Sequence, residues 1–257
     1  GGFPGRVIGA FFLVFVLLAG GYLLTVIADL VPVSLVTGIS GNWIAFWAVL
    51  ACGAGTCRGM QRRGRMADVS GGFLLGGILL MMALCIPQGK AVYLEEMTET
   101  WNLSAGSVIE KMYGTLCAFS VIGLLPFALG DVEKYGSAGK AVTGGIVTAG
   151  GILAGMKILM PAVLGMDRVR AEEYPVLPLL DGADLPGNVL ARFDVIWMGF
   201  LVFGLLFSLG SLFHYGNQIA EKTKLGSGRY WIPAAGWILS LYERNGAGIE
   251  KYYGWYL

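Results

Sequence analysis

Seven long apolar stretches constrain the fold of this chain more than any other feature. A helix needs about 20 apolar residues to cross the ~30 Å hydrocarbon core of a bilayer, and shorter helices serve where neighbouring protein covers their ends. The seven runs cover residues 5–30, 41–57, 70–87, 114–130, 139–165, 193–219 and 230–242. They predict an all-α integral membrane protein with about seven transmembrane helices, folded as a single transmembrane domain over residues 1–257.

The composition supports a membrane protein and excludes several functions. Of 257 residues, 56% are hydrophobic and 14% are charged, whereas soluble domains average about 25% charged. The net charge of +1 gives no basis for nucleic-acid binding. One histidine cannot build a metal cluster, and no nucleophile with a base or phosphate-binding loop is present. We therefore expect no enzyme activity, no metal, no cofactor and, because the four cysteines lack CxxC spacing, no disulfide.

An arginine-rich segment predicts the orientation of the helices. Between the second and third runs, the loop at residues 57–68 contains Arg58, Arg62, Arg63 and Arg65. Lys and Arg next to transmembrane helices favour the cytoplasmic side, so this loop is expected inside the cell. Alternation of the helices then places more Lys and Arg inside than outside.

Two other loops are too long to be simple turns. Residues 89–113 place apolar side chains at helical intervals with acids between them, which predicts an amphipathic helix at the membrane surface. Residues 172–190 are apolar but contain Pro175, Pro178 and Pro186. Long loops of this kind often cover a site, so we expect this segment to fold back over the helices.

The lengths of the runs indicate an internal repeat. A long run is followed by a short one at residues 5–57, and the same order recurs at residues 193–242. Two structural repeats would each give a long tilted helix followed by a short one. The first residue is Gly and the last residues are apolar, so the domain is expected to be incomplete at both ends.

Four stretches of sequence resemble a known family. They are RGMQRRGRMADV after the second run, LLPFALGD at the end of the fourth, EEYPVLPLL, and LARFDVIWMGFLVFG at the start of the sixth. Over nearly its whole length the chain resembles the spore germination permeases, the B subunits of nutrient germinant receptors and relatives of amino acid permeases. The most specific part of the resemblance is Tyr174 and Pro175 followed by Arg192, Phe193 and Asp194.

The resemblance implies a fold and an incomplete pocket. Family members are similar to ten-helix, LeuT-like permeases with two inverted repeats of five helices. On that plan the seven runs are helices three to nine, a fragment that lacks the first, second and tenth helices. The first helix of such folds supplies part of the substrate site. The orientation predicted from the arginine-rich loop agrees with this plan.

The fourth run is the leading candidate for a ligand site. Its sequence CAFSVIGLLPFALG contains Ser120, Gly123 and Pro126 within seven residues. A break in the helix near Gly123 would free backbone carbonyls and amides for a zwitterion, which predicts Ser120, Gly123 and Leu124 as ligand-binding residues. The alternative is a proline kink in which the glycine packs against a neighbouring helix.

The first run presents a second set of candidates. Tyr22, Thr25 and Val26 share one helical face through their spacing of three and four residues. Tyr22 could donate a hydrogen bond to a ligand, and the three residues are predicted to bind it. Alternatively, Tyr22 belongs to the aromatic belt at the outer membrane surface.

The sixth run carries a stripe of small and polar residues. Ser208, Ser211 and Leu212 follow Gly204 at steps of three and four, which predicts that they line the pocket. Such stripes also pack helices against one another, so a purely structural role is the alternative. His214 lies nearer the inner end, where a lone histidine is more often a satisfied interfacial residue than a proton relay.

Lys157 is the one charge within an apolar stretch of the fifth run. Its Cα is expected about 12 Å from the outer end of the helix, and its stem covers roughly half that distance. We expect its ammonium to point into the bundle or a wet vestibule, paired with an acid or with carbonyls. Escape of the side chain through a local water defect is the alternative.

These residues and the resemblance lead to one main functional hypothesis. The chain is expected to be the membrane subunit of a spore nutrient-germinant receptor that binds a small nutrient such as an amino acid and triggers germination. The resemblance implies a partner A subunit, a lipoprotein C subunit and location in the bacterial cell membrane or spore inner membrane. The alternatives are a secondary amino acid transporter coupled to H⁺ or Na⁺ and an ion channel opened by the receptor complex.

Overall fold

The computed structural model describes residues 3–34, 38–56, 60–99, 105–129, 135–172, 174–181 and 193–244. All the regular structure in these ranges is helical, with no strand. The α-helices are α1 (Phe3–Ser34), α2 (Gly41–Thr56), α3 (Met60–Cys85), α4 (Ala91–Glu99), α5 (Ala105–Ala118), α6 (Leu125–Leu129), α7 (Tyr135–Leu164), α8 (Met166–Ala171), α9 (Val176–Asp181), α10 (Phe193–Lys222) and α11 (Trp231–Arg244). Short 3-10 helices lie at Ile86–Gln88 and Ser120–Leu124. The all-helical prediction is therefore confirmed for the described residues.

Each of the seven apolar runs contains helical structure, but not every helix is long enough to cross a bilayer. The described segments with sufficient length and hydropathy are Pro4–Pro32, Arg62–Gln88, Gly136–Leu164 and Ile196–Lys222. A fifth span results if the bent pair Gly106–Leu116 and Ser120–Phe127 is taken as one, and α2 is a shorter apolar helix. The count of seven spans and the LeuT-like repeat stay predictions.

The chain separates into two compact units that share several helices along the sequence. One unit comprises Gly1–Arg65, Glu110–Val132 and Leu201–Leu257, and the other comprises Met66–Ile109 and Glu133–Phe200. The boundaries fall within α3, α5 and α10. We call the first the α1 unit and the second the α7 unit. The predicted single domain stays a prediction.

The core of the α1 unit forms where α1 packs against α2, α10 and α11. Glycines allow close approach around the ring of Phe213, which is 1% exposed. A Cβ added to Gly20 would lie 3.3 Å from Phe213 Cε1, and one added to Gly236 would lie 3.2 Å from the same atom. The ring therefore fills a space that exists because these two positions have no side chain.

The α7 unit has its own buried contacts. Leu159 of α7 is 7% exposed, and Leu179 of α9 is completely buried. The thiol of Cys85 approaches the Leu179 carbonyl at 3.9 Å. Because α9 packs against α7, the first part of the proline-containing loop folds back onto a helix as predicted. Its later residues, 182–192, lie outside the described residues, and a covering role stays a prediction.

Two predicted loops are largely helical. α3 begins at Met60, ten residues before the predicted start of the third run, so the prediction of a loop over residues 57–68 was wrong from Met60 onward. Met, Gln, Arg and Ala favour helices, and the lone Gly64 is not enough to stop one. The predicted amphipathic segment is helical, but as two pieces, α4 and α5, and α5 continues into the fourth run.

Candidate functional site

The α-helix of the fourth run is interrupted where the sequence predicted. α5 ends at Ala118, a 3-10 helix covers Ser120–Leu124, and α6 follows directly. The axes of Gly106–Leu116 and Ser120–Phe127 differ by 44°, so the bend lies between Leu116 and Ser120, just before the 3-10 helix. The Phe119 N–H donates to the Leu116 carbonyl at 3.0 Å, and the Ile122 N–H donates to the Phe119 carbonyl at 2.9 Å. The predicted interruption near Gly123 is confirmed as a 3-10 helix that contains Gly123 and follows the bend.

Local sequence explains this interruption. Pro126 has no N–H to donate to the carbonyl of Ile122, and its ring crowds that carbonyl. Val121 and Ile122 are β-branched, and Gly123 has low helix propensity. Loss of the α-helical hydrogen bonds in the turn before Pro126 therefore costs little free energy. The break is therefore built into the sequence of the span.

The interrupted segment packs against the first half of α1. A Cβ added to Gly123 would lie 3.6 Å from Phe12 Cε1, which is ordinary van der Waals contact. The Phe12 ring meets the ring of Phe127 edge to face at 5.4 Å between centroids. Lys222 Nζ lies 5.8 Å from the centroid of the Phe127 ring. The bend is thus bounded by two aromatic rings and one cation.

The predicted ligand residues of the bend differ in accessibility. Ser120 and Gly123 are exposed. Leu124 is 2% exposed and belongs to the hydrophobic core. The exposed side of the bend therefore presents the Ser120 hydroxyl and the backbone from Ser120 to Gly123, while Leu124 anchors the bend from behind.

The candidates on α1 lie farther along this helix than Phe12, the residue that contacts Gly123. Tyr22 and Val26 are half-buried, and Thr25 Oγ1 donates to the backbone carbonyl four residues earlier at 3.2 Å. Tyr22 is ten residues beyond Phe12, which is roughly 15 Å along the helix. The structure therefore brings Gly123 beside Phe12 and not beside Tyr22. A role for the three α1 residues in ligand binding stays a prediction.

The candidates on α10 also separate by environment. Ser208 is exposed and Leu212 is 4% exposed. Ser211 is half-buried, and its hydroxyl donates to the Phe207 carbonyl at 2.8 Å. The same oxygen accepts a hydrogen bond from Arg63 Nη2 at 3.1 Å. Sequence reasoning selected Ser211 but missed its partner on α3.

Arg63 makes a dense set of contacts with the middle of α10. Its Nη2 also donates to the Phe207 carbonyl at 3.2 Å, and its Cζ lies 5.6 Å from the centroid of the Phe207 ring. A Cβ added to Gly210 would lie 2.8 Å from Nη2, so a side chain there would displace the guanidinium from this position. A cation from the first turn of α3 therefore reaches the midpoint of the 30-residue α10.

α2 reaches the same part of α10. Cys52 is 8% exposed, and its thiol donates to the Leu206 carbonyl at 3.3 Å. We define the Arg63 cluster as Cys52, Arg63, Phe207, Gly210 and Ser211. Within the α1 unit, α2 and parts of α3 and α10 thus meet at the cluster, with carbonyls, a hydroxyl, a thiol and an aromatic ring around one guanidinium.

The charge around the cluster is unbalanced. Arg62, Arg63 and Arg65 lie near the start of α3, whose first turn contains no acid. Positive side chains oppose the partial positive charge of a helix N-terminus. Within the described ranges, the only ion pair joins Arg168 and Glu172 at 3.9 Å, so no carboxylate in that part of the chain balances Arg63.

The family of the chain follows from its match to a protein-family model. The family model for spore permeases, described as spore germination protein, matches residues 1–223. The chain belongs to the spore germination permease family. No curated protein and no solved structure matches it. Together with its four long apolar helices, this membership identifies an integral membrane protein related to spore germination and confirms the predicted resemblance.

Lys157, the intramembrane charge predicted for this germination permease, is exposed on α7. It has no ion-pair partner among the residues the structure describes. Pro161, four residues later, cannot donate to the Lys157 carbonyl, so that carbonyl lacks its usual helical donor. Pairing of the ammonium inside the bundle stays a prediction.

The remaining polar residue of interest in the permease is His214. It is 6% exposed, and its Nε2 lies 3.4 Å from Nε2 of Gln218 one turn later. The interpretation of a satisfied interfacial histidine stays a prediction. Among the described residues, no cluster of three or more His, Cys, Asp or Glu side chains is suitable for a metal.

Proposed function

We propose that this spore germination permease is the membrane subunit of a nutrient-germinant receptor, and that it binds a small nutrient such as an amino acid to trigger germination. Family membership supports a role in germination, and the long apolar helices support location in a membrane. The proposal also includes the spore inner membrane as the location, and an A subunit and a lipoprotein C subunit as partners.

The observation that carries the proposal is the interrupted span beside Phe12. Broken helices in transporters direct backbone groups at small ligands near the middle of the membrane. Here the 3-10 turn exposes residues 120–123, next to the apolar edge formed by Phe12 and Phe127. A polar backbone next to aromatic rings is the kind of lining that holds a small zwitterion with an apolar side chain.

The bend also offers a way to convert binding into a signal. A stretch of 3-10 helix within a span often marks a hinge, so we infer two accessible geometries for this span. A nutrient that contacts the 3-10 turn would bind the bent geometry more tightly and shift the population toward it. The shift would move α6, including Phe127, relative to α1.

Germination of spores tests the proposed function. The gene would be deleted from its native host, or expressed with its neighbouring receptor genes in a strain lacking nutrient receptors. Optical density would then be recorded after each of the 20 amino acids is added. We expect one nutrient class to cause a loss of optical density only when the chain is present.

Two results would contradict the proposal. One is an unchanged nutrient response after deletion. The other is uptake of labelled amino acid into vesicles that contain the chain, combined with no germination phenotype, which would indicate a secondary transporter.

A further inference from the structure

The Arg63 cluster is a second polar site of the α1 unit, separate from the bend. Phe207 of the cluster and Lys222 beside the bend are 15 residues apart on α10, which is roughly 22 Å along the helix. A single small nutrient cannot contact both regions. The cluster therefore needs its own explanation.

The guanidinium of Arg63 uses only part of its hydrogen-bonding capacity. Arginine has five N–H donors in a planar fork, and two parallel donors fit the two oxygens of a carboxylate or phosphate. Within the described part of the chain, Arg63 hydrogen bonds involve only Nη2, which donates to the Phe207 carbonyl and the Ser211 hydroxyl. Both N–H groups of Nη2 are thereby used, and Nε and Nη1 make no hydrogen bond to that part of the chain.

The charge of Arg63 is not compensated by the groups it contacts. The acceptors that Nη2 contacts are neutral, so they orient the guanidinium without cancelling its charge. A partly desolvated cation without a counter-charge is costly, and arginines within membrane spans usually have a partner. Arg62 and Arg65, which are both exposed, add positive potential nearby. The side chain is only partly exposed, so it is held in place and can still be approached.

We propose that the Arg63 cluster binds an oxyanion, a carboxylate or phosphate group that accepts hydrogen bonds from Nη1 of the guanidinium. Phe207 and Ser211 hold Nη2, and Gly210 leaves space for it. The cluster thus presents the N–H groups of Nη1 in a fixed orientation where α2, α3 and α10 meet. The oxyanion has two sources, a free small molecule or the headgroup of an anionic phospholipid.

Thermal unfolding of the purified full chain in a sugar-headgroup detergent tests the proposal, because such a detergent contains no phosphate. Sodium phosphate, sodium acetate and phosphatidylglycerol would each be titrated, with sodium chloride at matched ionic strength. We expect a saturable rise in the unfolding midpoint that chloride does not produce. A rise with phosphate or acetate identifies a free oxyanion, and a rise with phosphatidylglycerol alone identifies the lipid headgroup.

Matched variants assign the effect to the cluster. Arg63→Gln should abolish the saturable rise, whereas Arg62→Gln, which removes the same charge from an exposed neighbour, should retain it. Arg63→Lys keeps the charge on a single nitrogen, which cannot contact Phe207 and Ser211 and present separate donors to an anion, so it should weaken anion affinity by at least about tenfold. If Arg63→Gln does not fold, the comparison of Arg63→Lys with Arg62→Gln carries the test.

Several outcomes would overturn the proposal. These are no saturable rise in the wild type, an equal rise with chloride, equal losses in the Arg62 and Arg63 variants, or full affinity in Arg63→Lys. None of these measurements depends on germination. Failure of the oxyanion site would therefore leave the proposed receptor function standing, and the reverse also holds.

Discussion

Two stretches of the α1 unit are rich in glycine and serine, and only one of them breaks its helix. Residues 204–216 of α10 contain three glycines and two serines, yet α10 is continuous from Phe193 to Lys222. The fourth run contains Ser120 and Gly123 and changes to a 3-10 helix between α5 and α6. Small residues alone therefore do not determine where a span breaks.

Burial is the first difference between the two stretches. In α10, Leu209 is completely buried and Phe213 is 1% exposed, so neighbouring helices hold the backbone in place. Residues 120–123 are exposed, and packing does not oppose a change of geometry there. Helical stability in proteins comes mainly from such packing, so α10 tolerates residues of low helix propensity.

Proline is the second difference, but its effect depends on the turn before it. α7 contains Pro161 and stays helical to Leu164, whereas Pro126 follows a break. Pro161 lies in the last turn of its helix and follows Lys157, Leu159 and Met160, which favour helices. Pro126 follows Ile122, Gly123, Leu124 and Leu125, so the turn before it contains a glycine of low helix propensity, and the turn before Pro161 does not.

The largest expected effect is on α10. Gly216→Leu should lower the free energy of unfolding by about 1–3 kcal/mol because it overfills a packed interface. A Cβ at this position would lie 3.1 Å from Val16 Cγ1 and 3.2 Å from Ile232 Cγ2. The unfolding midpoint and the amount of folded protein would be measured against Gly199→Leu on the same helix, where the space is open. Equal losses in both variants would show that α10 is not held by packing.

Pro126→Ala should have the next largest effect, on signalling. Alanine restores the N–H that can donate to the Ile122 carbonyl and removes the ring that crowds it. We expect a straighter span and a rise of about tenfold in the nutrient concentration needed for germination, equivalent to about 1.4 kcal/mol.

Pro161→Ala in α7 is the matched control for that change, and its dose response should match the wild type. Equal shifts of the germination response in the two proline variants, with a constant amount of folded protein, would contradict a specific role of Pro126.

The sequence was sufficient to locate this break because its causes are local. Pro126, Gly123 and the β-branched Val121 and Ile122 that precede this glycine lie close together in the chain, and propensity rules apply to them directly. The apolar runs likewise predicted α1, α2, α7, α10 and α11 to within a few residues at most of their ends. Hydropathy over a long window is a strong and local signal.

The Arg63 cluster was out of reach for the opposite reason. Arg63 and Ser211 are 148 residues apart, and no local pattern joins them. In the sequence, Arg63 is one of four arginines in a predicted cytoplasmic loop, and nothing distinguishes it from the others. Basic segments next to transmembrane helices are usually cytoplasmic loops in contact with water. The pair Gly210 and Ser211 in the middle of an apolar run was the only available signal, and it does not identify a partner.

Gly123→Ala should have a smaller effect than Pro126→Ala. The new methyl group fits beside Phe12 at 3.6 Å, and alanine favours the α-helix by about 1 kcal/mol relative to glycine. We expect an unchanged or slightly higher unfolding midpoint and a few-fold weaker nutrient response. Gly145→Ala on α7 has open space and serves as the control. A lower midpoint for Gly123→Ala would favour the alternative of tight glycine packing.

The smallest expected effect distinguishes the two serines of α10. Ser211→Ala removes one of two acceptors for Arg63 Nη2, and the Phe207 carbonyl remains as the other. The loss should therefore be about 0.5–1.5 kcal/mol, the net value of one hydrogen bond, measured as a lower unfolding midpoint. Ser208→Ala on the exposed side should change stability by less than about 0.5 kcal/mol. If Ser211→Ala leaves the midpoint unchanged but shifts the nutrient response, the hydroxyl acts on a ligand and not on Arg63. If Ser208→Ala shifts the response instead, the exposed side of α10 lines the pocket, and the difference between α10 and the interrupted span becomes one of stability alone.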